Sequence, residues 1–204
     1  MSSNGSDKPL LKDGCRRNAN DTKCRIFSAA KTLFCQRGYS NVGMRDIATL
    51  AGVDAALINR YFGSKEKLFD EVLAKVFALR PELHADISQF GKTYARDIIT
   101  RDPMGTQPLD ILTRSMETPA TAEMVSRHFH TDFVASLADV IGGEHARARA
   151  AIFTSYIIGL ATMRFALHSP DLHEELVIAY IGDAMQACVD GNYVSRKPDY
   201  PLKF

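Results

Sequence analysis

The sequence predicts an all-α protein with an N-terminal three-helix helix-turn-helix domain and a larger helical C-terminal domain. Three observations carry that expectation. Apolar residues recur at the three- and four-residue spacing of one helix face along most of the chain. No stretch alternates apolar and polar residues as a half-buried strand does, and no internal repeat emerges. A chain of 204 residues with 46% hydrophobic content is long enough to bury a substantial core, and its length suits two unequal domains.

Residues 1–19 are polar and without periodicity, and read as a disordered basic arm. Its Lys8, Lys12, Arg16 and Arg17 suit either a solubilising tail or an arm that touches phosphate or a minor groove. The first helix should start at Asn20 or Asp21, either able to cap it, and end at Gly38. Ile26, Phe27, Ala30, Leu33 and Phe34 form its apolar face.

Residues 44–68, MRDIATLAGVDAALINRYFGSKEKL, read as two short helices joined by a tight turn and followed by a third helix start. Ile47, Ala48 and Ala51 give one apolar stripe, Gly52 supplies the turn, and Ile58 and Phe62 lie one turn apart on the next helix. The rest of that second helix is left to face outward. Asp54, Ala55 and Ala56 are small enough to let its backbone approach base edges, and Asn59 offers both a donor and an acceptor. A helix of this kind fits a DNA major groove.

Ser64 then caps a fourth helix, Glu66 suits its positive end, and Leu68, Phe69, Val72, Leu73, Val76 and Phe77 continue a stripe that Pro81 stops. Further helices are expected over 82–101 with a break at Gly91, over 108–117, and over 119–141. Thr118 caps the last of these, Pro119 takes its first position, and Gly142 and Gly143 end it. Two more cover 144–168 and 172–189, separated by Ser169, Pro170 and Asp171. The expected boundaries are an arm at 1–19, a DNA-binding domain at 20–66, an effector-binding and dimerisation domain at 67–192, and a tail at 193–204.

The run Ala-x-x-x-Gly-Val, followed by Leu57-Ile58-Asn59-Arg60-Tyr61-Phe62-Gly63-Ser64-Lys65-Glu66-Lys67-Leu68, resembles the N-terminal domain of TetR-type transcriptional regulators. The likeness runs over about 21–77, and a stretch at about 112–129 is similar to one C-terminal subgroup. It implies a DNA-reading surface on which Arg45, with Met44 beside it, reaches the groove. An Arg fork there suits guanine O6 and N7, and equally a phosphate or a surface ion pair. Ala55 and Ala56 match base-facing positions and offer a thymine methyl an apolar contact. Asp54 suits cytosine N4 or, more simply, a helix cap.

Asn59 stands where the family often has Tyr, and Tyr61 where many relatives have His, so base edge and phosphate both remain open for Asn59 while Tyr61 suits phosphate. Lys65 is the strongest phosphate candidate, because its ammonium and the free N–H groups of the fourth helix point the same way. Thr49, Arg60 and Lys67 extend that footing.

Net charge is only +1, which by itself argues weakly against a nucleic-acid binder, since phosphate contacts need a basic surface. Its distribution says more. Residues 1–67 carry 12 Lys and Arg against 6 Asp and Glu, a net +6, and the remainder 13 against 18, a net −5.

One recognition helix covers too few bases to find a single genomic site, so a two-fold dimer on a palindromic operator is expected. The resemblance implies that the last two helices pair with their copies. Phe153, Tyr156, Ile157 and Leu160 supply that surface on one helix, and Tyr180, Ile181, Ala184 and Met185 on the other. It also implies an effector cavity among the middle helices, where Phe90, Tyr94, Met116, Phe129, Phe133, Tyr156 and Met163 supply apolar lining. The same side chains also suit plain core. His128 and Arg164 are the polar groups there, and Arg164 is expected to find an internal carboxylate.

Other chemistries find little in the chain. Cys15, Cys24, Cys35 and Cys188 make no C-x-x-C pair, and Cys24 and Cys35, eleven residues apart on one helix, read as small core residues. His128 and His130 are two apart and fall on different helix faces, so no metal is expected. Ser28 and Lys31 fit S-x-x-K without its companion motifs, and no cofactor fingerprint occurs. The apolar run at 150–167 contains Arg164 and falls short of about 20 uninterrupted residues, so it reads as buried rather than membrane-spanning. The polar N-terminus lacks the apolar segment of a signal peptide, so a cytoplasmic protein is expected.

The expected protein is therefore no enzyme but a homodimeric, sequence-specific regulator, a repressor released from its operator by a small-molecule effector. A non-allosteric DNA-binding dimer, or an enzyme with its site in the C-terminal bundle, is the alternative.

Overall fold

The computed structural model describes residues 19–79, 86–100, 107–173 and 175–192, and every regular element among them is helical. They form two compact units that divide between Val72 and Leu73. The basic arm, the C-terminal tail beyond residue 192 and the site of Pro81 lie outside the described residues.

The first unit contains α1 (Ala19–Arg37), α2 (Met44–Ala51), α3 (Ala55–Phe62) and the start of α4 (Lys65–Val76). Gly38, at φ +75°, ends α1 in the left-handed region. Ile26, Ala30, Leu33 and Phe34 from α1 bury against Ile47, Ala48, Ile58, Phe62, Leu68 and Phe69. Phe34 and Phe69 meet edge to face at 5.0 Å. Cys35 is buried and free, whereas Cys24 is half-buried and disulfide-bonded.

The second unit contains α5 (Phe90–Thr100), α6 (Gln107–Arg114), α7 (Pro119–His128), α8 (Ala135–Ile141), α9 (Ala146–Ala161) and α10 (Glu175–Asp190). The expected break at Gly91 does not occur. A 3-10 turn at Ile87–Gln89 leads into α5, and Gly91 lies in its intact first turn. Glycine is required there for proximity: a Cβ would stand 2.2 Å from the backbone nitrogen of Gln186. Gln186 completes the crossing, since its Oε1 accepts from Gly91 N at 2.8 Å and its Nε2 donates to the Ile87 carbonyl at 2.9 Å. Lys92–Asp183 at 3.1 Å and Arg96–Glu175 at 3.3 Å flank the same contact on its exposed side.

The helices expected over 119–141 and 144–168 each contain a π-helical segment, at Phe129–Val134 and Thr162–Ala166. An inserted residue of this kind shifts the apolar stripe too little to be read from spacing alone. Thr118 and Pro119 start α7 as expected, the threonine hydroxyl accepting from Thr121 N. Buried Arg149 ties three helix ends together. It donates to the carbonyls of Glu144, Gly142, Cys188 and Val189, which satisfies groups left over at the C-termini of α8 and α10.

His128, mostly buried, contacts the Asp132 carboxylate at 2.5 Å across the first π-helical segment. Burial pushes the Asp132 pKa up, but hydrogen bonds from His128 and Thr131 and the charges of His128 and Arg127 outweigh it and leave the carboxyl below its usual range.

Two stability measurements follow from these contacts. Gly91→Ala forces α5 off α10, and chemical denaturation should show a loss of roughly 1–3 kcal/mol or more. For Asp132, the depressed native pKa means that its contribution is present above the unfolded carboxyl value of about 3.9 and is lost as pH falls through the native value. The stability gap between wild type and Asp132→Asn should therefore be full at neutral pH and close in acid.

Candidate nucleic-acid interface

The turn between α2 and α3 is built by three local devices. Asp46 accepts from the Gly43 amide at 2.7 Å and so holds the first turn of α2. Gly52 takes φ +64°, and the Gly52 and Val53 amides return to the Thr49 and Ala48 carbonyls at 3.2 and 3.0 Å. Asp54 then caps α3 by accepting from Ala56 N at 2.7 Å. That occupies the Asp54 carboxylate oxygen Oδ1 in capping, the simpler of the two roles considered for this residue.

Two basic residues of α1 hold the pair from behind. Arg25 donates to the Ala51 carbonyl at 3.3 Å, at the end of α2, with Asp21 3.7 Å from its Nε. Lys23 lies 5.0 Å from the centre of the Phe62 ring and 3.3 Å from Glu71, joining α1 to the end of α3 and to α4. These positions were not singled out in the sequence. A basic residue two to four places from Asp21 on the first helix was the available signal, and its target carbonyl is visible only in three dimensions.

With Ile58 and Phe62 turned into the core, α3 presents Ala56, Asn59 and Arg60 exposed, and Ala55 and Tyr61 half-buried beside them. Arg45 is exposed on α2 and Met44 is half-buried at its start. Thr49 turns its hydroxyl inward to the Arg45 carbonyl at 2.8 Å. Lys65 opens α4, and Ser64 caps that helix by accepting from Lys67 N at 3.2 Å. Burial draws the Lys65 pKa below the usual lysine range, while the Asp46 charge pulls it the other way. The structure thus gathers the DNA candidates onto α2, α3 and the first turn of α4.

The C-terminal candidates are not gathered. Phe90, Tyr94 and Phe153 pack ring against ring at 5.1 to 5.4 Å inside the core, so these aromatics fill space rather than line it. Phe129 packs edge-on to Phe77 at 5.8 Å and beside Phe133 at 6.3 Å. Met116, Tyr156 and Met163 are exposed. Arg164 donates to the Ile98 carbonyl and lies over Phe165 at 4.6 Å. An open cleft of about 460 Å³ instead lies among Ala74, Ala78, Leu79, Thr131, Asp132, Ser136 and Val140.

The expected dimer stripe also needs correction. Phe153, Leu160 and Met185 are buried in the subunit's own core, because α9 and α10 are apolar on more than one side and each turns one side inward. Ile157, Ile181 and Ala184 are half-buried, and the outward row consists of Ile152, Tyr156, Met163, Leu167, Leu176 and Tyr180.

A two-helix reader braced by a third helix, with its second helix open to solvent, defines a helix-turn-helix transcriptional regulator. Residues 26–72 match the model of the tetR family of bacterial regulatory proteins, and residues 88–189 match a tetracyclin repressor-like C-terminal domain. The chain belongs to the TetR family. It is 40% identical over 68 residues to the transcriptional repressor NicS of Pseudomonas putida, covering 33% of this chain and 32% of that one. It is 33% identical over 90 residues to a transcriptional repressor of Mycobacterium tuberculosis, covering 39% and 48%. These matches thus span less than half of either relative.

Among solved structures, a TetR-family regulator from Rhodococcus sp. superposes with a TM-score of 0.65 at 17% identity over 83% of this chain and 98% of that one. NalD, the secondary repressor of the MexAB-OprM multidrug efflux pump of Pseudomonas aeruginosa, does so at 0.60 and 19% over 88% and 100%. Both share the fold. Among the described residues, no helix is long and apolar enough to cross a membrane.

Lys65 and Arg45 make separable predictions. Lys65→Ala should weaken binding to every duplex alike and reduce the salt slope by about 1, whereas Arg45→Ala should relax preference at particular base pairs. Competition titrations over a salt series read both, and equal losses on all sequences would remove base reading from Arg45.

Proposed function

We propose that this regulator is a cytoplasmic homodimeric repressor that binds a palindromic operator and releases it when a small molecule occupies the C-terminal unit. The exposed α3 face carries the reading: Asn59 and Ala56 meet base edges, Ala55 adds apolar contact, and Arg60, Tyr61 and Lys65 grip phosphate. Arg45 and Met44 approach the groove from α2. The net +6 of residues 1–67 supplies the field that draws this unit to DNA.

Dimerisation uses the outward row on α9, the residues just after it, and α10. Four large apolar side chains exposed on α9 and α10, with Met163 and Leu167 just after α9, favour a second copy over solvent. Two recognition helices then meet successive major grooves about 34–36 Å apart. The effector acts by binding better to a dimer whose spacing misses that distance, since only a differential affinity shifts the equilibrium. The cleft beside Asp132 supports an effector site more directly than the filled aromatic core.

Selection of bound duplexes from a random pool, followed by sequencing, tests the whole reading: an enriched palindrome supports it, and binding without enrichment overturns it. Tyr180→Glu should convert the dimer to monomer in sedimentation, raising the dimer dissociation constant at least tenfold given about 1.5–3 kcal/mol per large apolar side chain buried. Palindrome binding should fall with it. An unchanged dimer would place the interface elsewhere.

A further inference from the structure

Lys65 does not stand alone in solvent. Its Nζ lies 4.0 Å from the centre of the Tyr39 ring, close enough for the ring face to attract the ammonium. Tyr39 comes directly after the glycine that ends α1, and its ring is itself held, stacked on Phe34 at 5.9 Å and tilted against Phe69 at 4.8 Å. Phe34 and Phe69 are fully buried, so the platform under the ammonium is anchored in the core of the first unit. Lys65 is the first residue of α4, where the first N–H groups of a helix have no carbonyl partner within it.

We propose that Tyr39 is a positioning residue for DNA binding, its ring holding the Lys65 ammonium at the N-terminal turn of α4 so that both meet one backbone phosphate. The inference rests on the DNA-binding reading above. A lysine stem has four rotatable bonds, and ordering it on contact with DNA costs affinity. A ring that already restricts the stem removes part of that cost. It also leaves the charge facing phosphate, because a cation on an aromatic face keeps its remaining N–H donors free. Burial, with the Glu66 charge adding to it, raises the Tyr39 pKa, so the side chain remains a neutral phenol beside the cation.

The test is a double-mutant cycle on full-length protein, with the selected operator and one unrelated duplex. Tyr39→Leu should weaken both complexes about two- to fivefold, and Tyr39→Phe, which keeps the ring, should not. In a Lys65→Met background Tyr39→Leu should add nothing. An equal loss in both backgrounds overturns the proposal and leaves the ring as packing; a loss with Tyr39→Phe assigns the effect to the hydroxyl and overturns it too. Should Tyr39→Leu fail to fold, the NMR shift of the Lys65 ε-methylene protons in free wild type decides: an upfield ring-current displacement is expected, and an ordinary lysine shift overturns the proposal. Wild type that binds neither duplex fails the DNA-binding reading itself, whereas binding with an additive cycle fails this inference alone.

Discussion

An eight-residue helix is unstable by itself in water, so α3 exists only because Ile58 and Phe62 are buried under it. That burial is the constraint from which the reading surface follows. It fixes which side of α3 faces inward, and at 3.6 residues per turn it thereby places Asn59 and Arg60 outside. The same core carries Phe34 and Phe69, on which Tyr39 rests, so the order of the outer polar groups derives from the inner apolar ones.

Polar side chains act mainly at the ends of these helices. Asp46, Asp54 and Ser64 each satisfy an amide at a helix start, and Arg25 and Arg149 satisfy carbonyls at helix ends. Short helices have a large share of unpaired backbone groups, which is why Asp46, Asp54 and Arg25 of the first unit are engaged with backbone. In the second unit Gln186 and Arg149 do the same work in buried settings, where an unmet hydrogen bond costs most.

The last helices divide their apolar surface between two destinations. Phe153 and Met185 close the subunit's core, while Tyr156 and Tyr180 remain outside. A helix apolar nearly all round gives no sequence signal that separates these sides, so the family resemblance and helical spacing together put core residues on the intersubunit face. The aromatic residues of the middle helices were ambiguous for a related reason: Phe90 and Tyr94 have the character of cavity lining and of core alike, and their contacts with Phe153 make them core.

By itself the sequence determined the helical class, the helix-turn-helix pair, the caps at Asp54, Ser64 and Thr118, and the outward face of α3. Each of these depends on local spacing or on one residue's own hydrogen-bonding capacity. Tertiary structure decided what depends on residues far apart in the chain. Gly91 proved to be a point of helix contact rather than a helix break, because Gln186, 95 residues on, supplies the backbone it touches. Lys65 acquired Tyr39, and α2 acquired Arg25, across loops whose path no periodicity encodes. Local physics writes a helix and its faces into the sequence; which partner meets a face is settled only when the chain closes on itself.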